Sequence, residues 1–339
     1  EPGLWFAPTI VEPHCRIAQW DYDMLAKGES GHPCLGFSCM GRYGFLLDPT
    51  QEKARKFIFD TFTRYADMGY KYFKLDFMGT TLNAKKFADQ SISHSEIQRL
   101  IVQPAYEAVK GKASILGCNY HFEGGNKYVD AVRVGGDIHA QWNSIRHNTA
   151  SVAARFWCNK KLWINDPDFA LCRGFDTSND PDMTRLLPSL IGIKPDDKDC
   201  AIFTRPLVDV KRKQLEILLS IVLCAGGAVN LSDKMYQLNE SGLDLARRAV
   251  SAAQGEAAIP LDLFQTELPA YWLQQVKNCR RVLLINWNDK PAELVFDLKK
   301  HGIDSNNAVN FWNDQPVAVK NGRIEVTLEP RSCLFAVVR

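Results

Sequence analysis

The nine-residue stretch Gly69-Tyr-Lys-Tyr-Phe-Lys-Leu-Asp76-Phe77 limits the possible fold more than any other part of the chain. A glycine able to stop a helix is followed at once by an alternating strand and then by a carboxylate. Helix, stop, short strand and polar strand end in that order mark parallel β-α units, whose strand ends gather at one mouth whatever their separation in sequence. Alternation puts Phe73 and Leu75 on one face and Tyr72 and Lys74 on the other, with Asp76 on the Lys74 side. A neighbouring ammonium favours the ionised carboxylate. Asp76 is therefore a candidate nucleophile, and capping of the following turn is the alternative role.

The same rhythm continues along the chain. Leu4-Trp5-Phe6 is expected to be a strand stopped by Pro8. From there to Tyr43 no period is sustained, which predicts a long loop over a barrel mouth. Asp48 and Pro49 are expected at the N-cap and first position of a helix carrying Ala54, Ile58, Phe62 and Tyr65 and ending at Gly69. Further helices are expected over 95–110, 144–157, 181–190, 208–223 and 241–253, and strands over 114–118, 131–134, 161–164 and 228–231. After Pro260 the pattern changes to short strands over 281–285, 292–296, 308–311, 323–327 and 333–337, separated by Asn-Asp, Asn-Gly and Pro-Arg-Ser turns. The expected class is α/β, a TIM (β/α)8-type barrel over residues 1–258 followed by an antiparallel β-sandwich domain over 259–339.

Charge and composition remove several function classes. The 41 basic residues balance 39 acidic ones to a net charge of +2, with no basic run, so a nucleic-acid partner is not expected. The most apolar run, Leu215 to Ala225, contains Glu216 and is too short to span a bilayer. The opening residues lack the basic and apolar regions of a leader and read as the inside of a fold, which leaves cytoplasmic, periplasmic and secreted locations all open. Ten cysteines without a C-x-x-C pair and seven histidines without an H-x-x-x-H cluster indicate neither a structural zinc site nor a dense disulfide framework. Cys34 and Cys39 could close a loop under oxidising conditions.

Strand ends supply the candidate chemistry. Asp76, Cys118, Asp137 and Asp166 would all lie at one mouth. Two carboxylates across a bound sugar are what retaining glycoside hydrolysis requires, one attacking the anomeric carbon and the other moving the proton. Asp137 follows Gly135-Gly136, which allow the backbone to approach a ligand, and could act as the acid if its surroundings are dry enough to raise its pKa. Gly136 is accordingly a candidate substrate contact. Arg133 shares a face with Asp137 if the glycines stay extended, and otherwise pairs with a carboxylate. Asn165-Asp166-Pro167-Asp168 fits either the site or a rigid Asx turn. Trp5, Trp142 and Trp163 could form a stacking wall, and His32, His121 and His139 sit in loops near the expected mouth.

The order Gly3-Leu-Trp-Phe-Ala-Pro8, Leu47-Asp-Pro49, Phe73-Lys-Leu-Asp-Phe77, Arg133-Val-Gly-Gly-Asp-Ile138 with Trp142, and Asn165-Asp-Pro-Asp168 resembles the melibiase-type α-galactosidases of glycoside hydrolase clan D, nearest family 36 and related to family 27. The resemblance runs from Gly3 to about Asp233. It implies a retaining double displacement on an α-galactoside oligosaccharide or glycoconjugate, with Asp76 as nucleophile, Asp137 as acid/base and no cofactor. It further implies that Lys74 and Arg133 hold sugar hydroxyls, that Trp5 lines the sugar subsite and that Cys118 lies near the 2-hydroxyl. Two departures stand out. Asn119-Tyr-His-Phe-Glu-Gly124 replaces the family's Ser-Gly-Gly-Gly run, and the Asp-Asp-Gly-Trp-like stretch of the first strands has no counterpart, so the barrel is expected to lack those strands in this chain. α-N-Acetylgalactosaminidase and raffinose-synthase-type galactosyl transfer are the alternatives within the clan, and a non-catalytic carbohydrate-binding protein is the alternative outside it.

Overall fold

The structure, a computed structural model, describes residues 1–39, 42–181, 186–189, 203–206 and 208–339, leaving aside the side chains of 39, 186–189 and 203–206. Its contacts form two compact units, one of Glu1–Arg133 with Leu162–Ile164 and one of Val134–Lys161 with Asn165–Arg339.

The first unit is built on a parallel sheet. Strands β1 (Gly3–Phe6), β5 (Tyr72–Leu75), β6 (Ser114–Gly117), β7 (Ala131–Arg133) and β8 (Ile164–Asp166) run in the order β1-β5-β6-β7-β8. Ile164, the residue of β8 in this unit, donates its N–H to the Asp130 carbonyl at 2.9 Å. Trp5 pairs with Lys74, and Lys74 with Leu116, so one register line crosses three strands. Helix α2 (Glu52–Asp67) packs through Ala54, Ile58, Phe62 and Ala66, whose spacing is that of one helical face. Phe6, Phe62 and Phe73 pack as a ring cluster, with Phe62 and Phe73 centroids 5.4 Å apart. Gly69 follows the helix at φ +100°, a conformation that side chains resist, which is why the helix stops there. Helix α3 (His94–Val109) starts at Ser93, whose Oγ accepts from the Glu96 N–H.

Three expectations for this unit need correction. The stretch expected as a loop from Pro8 to Tyr43 is not a plain loop among its described residues: β2 (Ile10–Val11), β3 (Leu35–Cys39) and β4 (Arg42–Leu46) form an antiparallel sheet in the order β2-β4-β3, and residues Arg16–Trp20 form a short helix α1. Asp48 does not cap α2, which begins after Gln51. Its buried carboxylate instead accepts from the Thr50 N–H and hydroxyl and from the Ala88 N–H at 2.6 Å, tying two loops together. Cys34 is a free thiol, whose Sγ–H donates to the Asn83 carbonyl.

The second unit contains helices α4 (Trp142–Ala154), α5 (Arg212–Cys224) and α6 (Glu240–Ser251), and a parallel pair of β9 (Phe169–Ala170) and β12 (Asn230–Leu231). The strand expected over 161–164 begins at its last residue instead. Lys160 turns in the left-handed region at φ +59°, and Lys161 donates its N–H to the Cys158 carbonyl, so the turn consumes the expected strand start. Of the helix expected over 181–190, residues 186–189 form strand β10 (Leu186–Ser189), antiparallel to β11 (Phe203–Pro206), while 182–185 and 190 lie outside the described residues.

From Ile259 onward the strands are antiparallel. One sheet has the order β13 (Ile259–Pro260), β14 (Tyr271–Val276), β15 (Cys279–Asn286), β20 (Ser332–Val338), β17 (Ala308–Asn310), and the other β16 (Ala292–Asp297), β19 (Arg323–Leu328), β18 (Val319–Lys320). Strand alternation gives the larger sheet two apolar faces. Val282, Leu284, Leu334 and Ala336 meet Phe296 and Ile324 of the smaller sheet, as in a sandwich. Leu283, Ile285 and Phe335 face the other way, into a core shared with Leu215, Leu218 and Leu219 of α5. The fold is thus α/β of the (β/α)-barrel type with a C-terminal antiparallel β domain. Among the described residues, no helix is long and apolar enough to cross a membrane.

Candidate active site

Asp76 sits at the C-terminal end of β5, and each of its oxygens is held from a different direction. The Trp5 indole Nε1–H donates to Oδ2 at 3.0 Å, and the Phe77 backbone N–H donates to Oδ1 at 2.7 Å. Cys118, in the residue after β6, donates its thiol to the same carboxylate, and Lys74 adds a positive charge two residues away on the strand. Burial pushes the Asp76 pKa up, but Trp5, Phe77, Cys118 and Lys74 together outweigh it and hold the carboxylate below its ordinary range. The group is an oriented anion.

Cys118 is fully buried, and burial pushes its thiol up to about 12, against the pull of the Arg133 charge and with that of Asp76. Such a thiol keeps its proton at neutral pH and serves as a hydrogen-bond donor rather than a nucleophile. Phe77 turns at φ 55°, ψ 28°, a left-handed conformation that costs a residue of this kind about 1–3 kcal/mol. That conformation aims its N–H at Asp76, and its ring is held by the edges of Trp5 and Phe37, with centroids 5.9 and 4.8 Å away.

Trp5, Lys74, Asp76, Cys118 and Arg133 therefore belong to one constellation in the first unit. Gly136 and Asp137 belong to the second. There the chain bends at Gly135, where a Cβ would lie 2.5 Å from Asn148 Nδ2, so α4 can approach the backbone only because that residue is glycine. A Cβ on Gly136 would meet only ordinary contacts, so it is Gly135 that the packing requires. Asn148 Nδ2 donates to the Gly136 carbonyl at 3.2 Å, the Ser144 hydroxyl to the Asp137 carbonyl at 3.4 Å, and the Ile138 N–H to Asp168 Oδ2 at 2.8 Å. This fixes the backbone of Asp137 on both sides while its side chain is exposed.

Other expected members have structural places. Asp168 donates its N–H to Asp166 Oδ1 at 3.0 Å, which is the Asx turn. Trp163 is buried against Phe122, and Trp142 is buried against Trp287 with the Arg331 guanidinium over its ring. Of the three tryptophans only Trp5, at 53 % exposure, presents a surface for stacking. His121 is anchored through its backbone to Gln98, while His32 and His139 are exposed. Sequence reasoning missed Phe77 as a tether, and it missed Phe37 and Tyr43. Their signal was Leu35-Gly-Phe-Ser-Cys39 and Arg42-Tyr-Gly-Phe-Leu46, two strand-like runs separated by two residues ending in glycine.

The tethers make a prediction about pH. A carboxylate whose folded pKa is depressed adds stability above its unfolded value and loses it as the pH falls through the folded value. Trp5→Phe removes a donor to Asp76 while keeping a ring, so the acid limb of the kcat/KM profile should move to higher pH, with kcat/KM at neutral pH about tenfold lower, as expected for a lost hydrogen bond to a charged group. A pH-rate profile of this variant checks both, and an unmoved acid limb would remove Trp5 as a tether.

No family model matches the chain. Among solved structures it is similar to a family-27 β-L-arabinopyranosidase from Geobacillus stearothermophilus, with a TM-score of 0.64 at 12% identity over 93% of this chain and 68% of that one. It is also similar to an isomalto-dextranase from Arthrobacter globiformis, with a TM-score of 0.63 at 15% identity over 98% of this chain and 57% of that one. An α-galactosidase from Thermus thermophilus superposes with a TM-score of 0.54 at 20% identity over 74% of this chain and 47% of that one. The sugars in those names differ, so what the likeness carries is architecture. In fold, the chain is similar to these glycosidases and to an α-galactosidase from Mortierella vinacea.

Proposed function

We propose that the chain carries a retaining glycosidase activity on terminal α-linked galactose, with a catalytic barrel over 1–258 and an accessory β-sandwich over 259–339. The observation that carries the reading is the state of Asp76: partly exposed at a strand end, ionised, and held through both oxygens. A carboxylate so fixed is ready to attack at the distance and angle its neighbours set.

In the first half-reaction the Asp76 carboxylate bonds to the anomeric carbon as the carbon–oxygen bond to the leaving group breaks, and that oxygen takes the proton of Asp137. In the second, water gives its proton to Asp137 and its oxygen to the anomeric carbon, releasing Asp76 and restoring both groups. Lys74 and Arg133 hold sugar hydroxyls, Trp5 lines the sugar subsite, Cys118 lies near the 2-hydroxyl, and the Gly136 backbone approaches the substrate. A second sugar has an observation in its favour. β-L-Arabinopyranose matches α-galactose around the ring but lacks the exocyclic carbon, and a fold relative bears that specificity in its name.

Full-length protein assayed against aryl α- and β-galactosides, α-N-acetylgalactosaminides and β-L-arabinopyranosides, with the first-formed anomer read by NMR, tests the proposal. Turnover of the α-galactoside with α-galactose as first product is expected. An inverted first product would overturn the mechanism, preference for another glycoside would overturn the sugar, and saccharide binding without any turnover would favour the carbohydrate-binding alternative.

A further inference from the structure

We propose that the C-terminal β domain positions the acid/base carboxylate, with Trp287 and Arg331 as positioning residues that act through Trp142. The inference rests on the reading of Asp137 given above, and every residue it uses lies in the second unit. Asp137 sits within residues 134–141, a stretch without helix or strand, so no element of its own fixes where its carboxyl starts. One face of α4 supplies the frame. The Ser144 hydroxyl donates to the Asp137 carbonyl and accepts the His139 N–H at 2.9 Å, Asn148 holds the Gly136 carbonyl, and the Ser151 hydroxyl donates to the Val134 carbonyl at 2.8 Å. Positions 144, 148 and 151 form one helical stripe, so a displacement of the helix carries the bend with it.

The first turn of α4 is seated by the β domain. Trp142, the helix's first residue, is buried, and its N–H donates to Asp209 Oδ1 at 2.6 Å. Its ring packs on that of Trp287, with centroids 5.6 Å apart and planes at 36°, and the Arg331 guanidinium lies 5.5 Å from the ring centre, within reach of a cation–π contact. β15 and β20 pair Asn286 with Ser332, so the next residues outward, Trp287 and Arg331, flank one end of that pairing. Both are held in place. The Trp287 Nε1–H donates to the Pro269 carbonyl at 3.1 Å, while the Arg331 N–H donates to the Asn288 carbonyl at 3.1 Å and its guanidinium pairs with Asp289. Gln214 of α5 donates to the Arg331 carbonyl at 3.2 Å. Trp142 is two residues from Ser144, so a loosened seat is felt at the bend, and a misplacement of 1 Å at a reacting group costs about 10²-fold in rate. Packing alone would stabilise the fold without touching proton transfer, and the leaving group separates the two roles.

Steady-state kinetics of Trp287→Ala and Arg331→Met on methyl and dinitrophenyl α-galactosides test this, with Trp287→Phe as the variant that keeps a ring, Asp137→Ala as the reference, and thermal melts showing that each protein is folded. kcat/KM reports the first half-reaction, in which a methyl leaving group needs the proton of Asp137 and a dinitrophenyl group hardly does. Trp287→Ala and Arg331→Met should each lower kcat/KM for the methyl substrate about tenfold and change that for the dinitrophenyl substrate less than twofold, and Trp287→Phe should restore most of the loss. Should Trp287→Ala not fold, Arg331→Met decides alone, because its side chain is 40% exposed and its removal leaves the ring pair in place. Equal changes on both substrates, or none, would overturn the positioning role while leaving the glycosidase reading intact, provided Asp137→Ala separates the two substrates. An Asp137→Ala variant that does not separate them would overturn the reading of Asp137 and this inference with it. Wild-type protein that turns over neither substrate would remove both together.

Discussion

Asp76→Gly is expected to lower turnover of an aryl α-galactoside by about four orders of magnitude or more, since removing a nucleophile leaves only the binding and electrostatic contributions of the remaining groups. The fold should survive. The Asp76 backbone N–H donates to the Phe6 carbonyl at 2.7 Å, a bond glycine keeps, and what disappears is the acceptor for Trp5, Phe77 and Cys118. Trp5 and Phe77 lie at a partly exposed strand end where water can replace the carboxylate oxygens. Azide supplied at high concentration should enter the vacated space and attack the anomeric carbon from the Asp76 side, giving β-galactosyl azide. Rate measurement with and without azide, and NMR of the product, check the expectation. Activity retained without azide would remove Asp76 from the mechanism.

What could be read in advance was whatever short-range patterning controls. The strand Tyr72–Leu75 and its flanking glycine were legible because alternation and a φ-positive stop are local properties, and the faces of α2 and α3 because helical spacing is too. Elements fixed by partners distant in sequence were not. Asp48 has the residue type and the proline neighbour of an N-cap, yet the Ala88 N–H, forty residues on, competes for its carboxylate. Strands β2, β3 and β4 are short, and Gly36 and Gly44 break their alternation, because a Cβ at either would collide with Leu46 or Ile10. Within the site, alternation put Lys74 on the Asp76 side of its strand, whereas the register that sets Trp5 beside Lys74 joins residues far apart in sequence and came only with the structure. The left-handed turn at Phe77 could not be foreseen, because a phenylalanine there contradicts its own backbone preference and persists only through the Trp5 and Phe37 rings and the Asp76 acceptor.

Asp137→Ala should give the opposite pattern to Asp76→Gly. The acid helps in proportion to how badly the leaving oxygen needs a proton, so kcat/KM for an alkyl or sugar leaving group should fall by about 10²–10⁴-fold while kcat/KM for an activated dinitrophenyl substrate stays nearly as before and its kcat falls. Backbone collapse is not the expected cause. The tethers from Asn148, Ser144 and Asp168 reach the backbone around Asp137 and survive removal of its carboxylate. With activated substrates the slow step becomes release of the glycosyl group from Asp76, where the missing base would have activated water. Azide needs no such activation. It should therefore restore the rate by attacking the covalent intermediate from the face opposite Asp76, and the product should be the α-galactosyl azide. Two azides of opposite configuration, β from Asp76→Gly and α from Asp137→Ala, would identify the two carboxylates separately. The same azide from both variants, or equal losses on good and poor leaving groups, would sink the assignment of Asp137.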